Sequence, residues 1–90
     1  MSIPGGWSEY SSSISSDAQA AFDEALKGFV GVKYTPVAVA EQVVAGKNFR
    51  FFCNASGVFP NAPNYGAILS ISKLIGSPAE LTGTETVGND

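Results

Sequence analysis

The chain contains no histidine, a single cysteine and only five basic residues among its ninety. Without histidine, the commonest general base and the proton carrier of nucleophilic triads are both missing. The lone Cys53 forbids an intrachain disulfide, so the fold has to hold without covalent cross-links. Lys27, Lys33, Lys47, Arg50 and Lys73 are scattered, and a net charge of -3 leaves no basic run to neutralise a row of phosphates. No nucleic-acid partner is expected. No apolar run approaches membrane-spanning length, and Met1-Ser2-Ile3-Pro4-Gly5-Gly6-Trp7 lacks the basic start and apolar core of a secretion signal. No membrane partner is expected either, and the compartment stays open between the cytoplasm and a mature secreted form. The acidic residues Glu9, Asp17, Asp23, Glu24, Glu41, Glu80, Glu85 and Asp90 show no paired constellation. The chain is read as a non-enzyme, with no catalytic residue, cofactor or metal.

What is present describes one small globular domain over residues 1–90, since 44% of the residues are apolar and 14% charged. Residues 1–13 hold Pro4, Gly5, Gly6 and a cluster of serines, a composition that buries little and reads as a flexible arm. Trp7 and Tyr10 are its exceptions, aromatics expected to fold back on the domain. Ile14, Ala18, Ala21, Phe22, Ala25, Leu26 and Phe29 then recur at helical spacing and predict one amphipathic helix. Ser16 is its expected cap, Gln19 the capping-box partner, Asp17 the charge at the positive end, and Gly28 or Gly31 the stop.

Alternation takes over from Val32 to Val44, where Val37, Val39 and Val43 are expected on one face and Ala38, Ala40 and Gln42 on the other. Pro36 marks an irregularity or an edge. Phe49, Phe51 and Cys53 predict the core face of the next strand; Asn48, Arg50, Phe52 and Asn54 take its other face, where Phe52 is expected to be shielded by a neighbour. Asn54-Ala55-Ser56 is a glycosylation triplet by pattern, expected to be unused inside a strand. The turn formers from Gly57 to Gly66 predict a loop, Tyr65–Ile75 a third strand, Gly76-Ser77-Pro78 a turn, and Leu81–Val87 a last strand. The fold class is α+β: one α-helix on a four- to five-stranded antiparallel sheet.

Between the first two strands stands Gln42-Val43-Val44-Ala45-Gly46. Gly46 can adopt φ > 0 and reverse the chain, whereas Val43 and Val44 are β-branched residues expected to fit a turn poorly. In this helix-then-hairpin order the pentapeptide resembles the Q-x-V-x-G signature of the cystatins, inhibitors of papain-like cysteine proteases, and the similarity spans nearly the whole chain. The resemblance implies a cystatin-like fold. It also implies a reversible, competitive, tight-binding inhibitor whose wedge combines the arm at Gly5 and Gly6, the loop Gln42, Val43, Val44, Ala45 and Gly46, and a second loop at Ser77 and Pro78. The partner would be a papain-like cysteine protease, occluded rather than chemically attacked.

Two departures from the family pattern bear on affinity. Pro78 is followed by Ala79, where many cystatins carry a Pro-Trp pair, although stefin-like members also lack that Trp. The helix is also shorter than usual, which leaves open whether Gly5 or Gly6 is the hinge equivalent. The alternative is a non-inhibitory interaction module on the same fold, or a monomer that converts to a domain-swapped dimer by opening the hairpin to relieve the misfit at Val43 and Val44.

Overall fold

Ser15 opens the helix. In the computed structural model, which describes residues 6–87, the Ser15 hydroxyl accepts a hydrogen bond from the Ala18 N–H at 3.1 Å. The helix α1 runs over Ser16–Ala25. The cap therefore falls one residue before the expected Ser16, which moves Gln19 out of the capping-box position; its side chain donates to Asp23 Oδ1 at 3.0 Å instead. Asp17 stands in the first turn as expected. The helix stops at Ala25 with Leu26 as its C-cap, ahead of both expected glycines; Gly28 (φ +87°) and Gly31 (φ +93°) take positive φ in the loop that follows. Phe29 consequently leaves the helical face onto which periodicity had carried it and is 53% exposed.

Four strands follow, β1 Val32–Val44, β2 Gly46–Gly57, β3 Asn64–Leu74 and β4 Glu80–Val87. They form one antiparallel sheet in the order β1-β2-β3-β4. The helix covers one face of this sheet, an α+β arrangement. Ala18, Ala21 and Phe22 meet Phe49, Phe51 and Cys53 of β2, with Leu69 and Ile71 of β3 completing the buried layer. The Phe22 ring packs edge-on against Phe51, their centroids 4.9 Å apart, a geometry that adds to burial by aligning ring edge and face.

The alternation along β1 is broken once, between Pro36 and Ala38. Pro36 pairs with Cys53 and Ala38 with Phe52, leaving Val37 as an extra residue. Val37 is half-exposed rather than in the core, because a one-residue bulge exchanges the two faces of everything beyond it. Pro36, which has no N–H to give to the ladder, is suited to such a position. The bulge allows Tyr34 before it and Val39 after it to pack on the same core.

On the face away from the helix, Phe52 lies between Ala38 and Ile68. Its ring atoms stand 3.5 Å from where a Cβ on Gly66 would be, and the side chain is half-buried, as shielding predicts. Asn54 is exposed on the same face, inside β2.

The segment read as a flexible arm has two tethers among its described residues. The Ser8 N–H donates to the Glu41 carbonyl at 2.8 Å, while the Glu41 N–H donates to Ser8 Oγ at 2.9 Å. Further along, Ser11 and Val39 exchange both backbone hydrogen bonds at 2.9 Å. The free edge of β1 offers unpaired backbone groups, and the arm satisfies some of them. Trp7 turns back on the sheet, its ring 4.1 Å beneath the Arg50 guanidinium.

Candidate functional site

The β1–β2 reversal is tighter than the pentapeptide suggests. Gln42 pairs with Asn48 and Val43 with Lys47, and Asn48 Nδ2 donates to Gln42 Oε1 at 2.8 Å across the closing rungs. Val43 and Val44 keep strand conformation, and the turn is concentrated at Ala45 and Gly46, where Gly46 takes φ +120°. The misfit expected at the two valines is absent, because the one left-handed position of the turn falls on glycine.

Gly46 is also where two loops meet. A Cβ there would collide with the Lys73 carbonyl oxygen and would stand 2.6 Å from the Leu74 Cα and 2.9 Å from the Ile75 nitrogen. All three are backbone atoms, which cannot swing aside as a side chain would. The Ile75 N–H donates to the Ala45 carbonyl at 3.1 Å, joining the tip of the first hairpin to the β3–β4 turn. Within that turn the Ser77 N–H donates to the Leu74 carbonyl at 3.1 Å, Gly76 takes φ +79°, and the Lys73 ammonium donates to the Ser77 carbonyl. Ala79, just beyond the exposed Pro78, is buried, and its N–H donates to Glu24 Oε1 at 2.9 Å. The second turn is thereby anchored to both the first hairpin and the helix.

The arm reaches the same end of the sheet, since Trp7 forms a bridge with Gln42. Gly6 immediately precedes it, while Gly5 lies outside the described residues. Eight of the expected site residues thus come together at one end: Gly6, Gln42, Val43, Val44, Ala45, Gly46, Ser77 and Pro78. Leu74 and Ile75 also stand there, 45% and 80% exposed beside Val43 at 48% and Val44 at 38%. Leu74 closes β3, as the strand pattern predicts, and Ile75 lies one residue past its end. The sequence signal for them is an apolar pair directly before Gly76-Ser77-Pro78, and both stand beyond the last rung between β3 and β4 at Ser72 and Glu80.

Charge borders this apolar row without crossing it. Lys47 Nζ and Glu41 Oε1 form an ion pair at 3.1 Å on partly exposed side chains, an arrangement that contributes little to stability but keeps both charges at the rim. Below the tips, a cleft of about 520 Å³ separates the helix from the hairpins, lined by Ala20 and Ala21 on α1 and by Val44, Phe49, Leu74 and Ile75 on the strand side.

Cys53 sits apart from this edge, fully buried, its thiol pushed up to about 12 by burial. It donates to the Phe51 carbonyl at 3.7 Å. A thiol held neutral in the core is an apolar packing unit rather than a nucleophile, as its place in the alternation suggested.

No family model matches the chain, and neither a curated protein nor a solved structure matches it at a significant level.

Proposed function

We propose that this protein is a cystatin-type inhibitor that binds papain-like cysteine proteases reversibly and competitively, filling the active-site cleft with one end of its sheet. The observation that carries the reading is the junction at Gly46, through which the Gln42–Gly46 hairpin and the β3–β4 turn form one protruding body beside the arm. The helix followed by four antiparallel strands, with the pentapeptide at the first reversal, supports the same family reading.

The mechanism is occlusion. Val43, Val44 and Ile75 supply exposed apolar contact, while Gln42, the loop carbonyls and the Glu41–Lys47 pair surround it with polar groups. This is the apolar-centre, polar-rim arrangement of protein interfaces. Both turns are tied by backbone hydrogen bonds before any partner arrives, which keeps the ordering cost of association low. A closed reversal also withholds the extended backbone that a protease cleft cleaves. The chain contributes no chemistry of its own, and one copy suffices.

A titration of papain with a fluorogenic peptide, using the intact chain, Val43→Asp and a truncation beginning at Trp7, tests this. Inhibition by the intact chain that competes with substrate and weakens in both variants is the expected result. Unimpaired papain at micromolar concentrations of the folded intact chain would overturn it.

A further inference from the structure

At the opposite end of the β1–β2 ladder, where Val32 faces Gly57, two loops present large apolar side chains to solvent. Phe29 and Val30 are 53% and 90% exposed in the loop before β1, and Val58 and Phe59 are 68% and 63% exposed in the loop after β2. The two loops are joined, since the Val58 N–H donates to the Gly31 carbonyl at 3.2 Å. Clustered exposed apolar groups of this kind mark interaction sites more often than singly scattered ones do.

The second loop is stiff. Pro60 and Pro63 restrict it, Asn61 takes the left-handed φ of +67°, and the Ala62 N–H closes a turn onto the Phe59 carbonyl at 3.3 Å. Phe59 is therefore held in place, its ring against Gly57. Charge is segregated here as well. Segments 26–35 and 55–67 contain Lys27 and Lys33 and no acidic residue, in a chain whose net charge is -3. Lys27 stands just before Phe29 and Lys33 just after Val30.

From this juxtaposition we infer that the paired loops form a peripheral docking site for an anionic lipid surface, with Val30, Val58, Phe29 and Phe59 entering the headgroup boundary and Lys27 and Lys33 meeting the lipid charge. Convex loop tips with flanking lysines suit a planar, deformable, negatively charged interface, where binding scales with apolar area inserted plus attraction to anionic lipid. No single run of the sequence carries this surface: the apolar groups come from two loops that only the fold brings together. The lipid site is independent of the protease-binding edge and stands at the other end of the sheet.

Sedimentation with phosphatidylcholine vesicles, with and without phosphatidylserine, tests it on the full chain. Partition onto the phosphatidylserine vesicles, weakened by salt, is expected, with a loss of about fivefold for each lysine changed in Lys27→Gln and Lys33→Gln. Val30→Asp should abolish it, and that side chain is too exposed for its replacement to unfold the protein. Ile75→Asp, equally polar but at the other end, should leave it intact. Absence of the intact chain from both vesicle pellets, or partition unchanged in Val30→Asp, would overturn the proposal. Capture of an acidic protein by these loops with vesicles ignored would overturn it too.

Discussion

A Cβ on Gly46 would stand 2.6 Å from the Leu74 Cα, so the glycine that turns the first hairpin is also the point on which the second turn rests. One residue thereby satisfies two demands: a left-handed backbone, and an approach that no other side chain permits.

Gly46→Ala is accordingly expected to cost at least about 1–3 kcal/mol from backbone conformation alone, before the collision with β3 is counted. Chemical denaturation should register the loss as a lower midpoint with little change in slope. For the same reason any larger residue at Gly46 would disturb the fold and the proposed site together, which makes the position a poor probe of protease binding. An unchanged midpoint in Gly46→Ala would mean that the two loops are not in contact.

Val43→Asp and Ile75→Asp should behave in the opposite way. Both side chains are about half or more exposed, so stability should stay within about 0.5 kcal/mol of the parent. Each apolar anchor lost from the centre of an interface should nevertheless raise the inhibition constant against papain by about tenfold or more, as truncation of a buried contact commonly does. Inhibition that survives Ile75→Asp but not Val43→Asp would restrict the binding surface to the first hairpin.

Cys53 makes stability sensitive to alkali. Its thiol is raised from the ordinary 9.0 to about 12 by burial, so above pH 9 the unfolded chain gives up a proton that the folded chain retains. The stabilisation is complete below pH 9 and is lost as pH rises towards 12, by about 1.4 kcal/mol for each pH unit. Urea titrations at pH 8 and pH 10 should show this fall, and Cys53→Ala should lose that part of the pH dependence. In the native protein at pH 8, thiol reagents should react only as fast as the chain opens.

Arg50→Gln removes the cation above the Trp7 ring, a contact worth about 0.5–1 kcal/mol at an exposed site. The tether of the arm to β1 should loosen. Amide exchange at Ser8 and Ser11, which donate to Glu41 and Val39, should quicken by about twofold to fivefold if the whole contact energy is lost from arm pairing. Exchange that stays at the parent rate would show that the backbone pairing holds the arm without help from Trp7.

Chemistry strongly local in the chain was legible before the fold was known. The spacing of Ala18, Ala21 and Phe22 marked the buried helix face, and Phe49, Phe51 and Cys53 marked the core side of β2, because burial imposes a period that the sequence has to carry. The hairpin at Gly46 was legible too, since left-handed backbone selects glycine. The helix boundaries and the side of Val37 differ from what the residue pattern predicts. Ser15 and Ser16 are chemically equivalent caps, and Pro36 announces an irregularity without saying which residue is pushed out.

A helix followed by antiparallel strands, a buried free cysteine and a reversal at Gly46 are all encoded locally in the chain. That the tip at Ala45 and Gly46 leans on Leu74 and Ile75, that the arm lies along β1, and that Val30 and Phe59 share one end of the sheet follow instead from how the strands pair. The physical reason is the range of the interactions. Backbone conformation and burial periodicity are set by near neighbours, whereas close approaches between loops depend on strand register, which a single bulge at Val37 is enough to change.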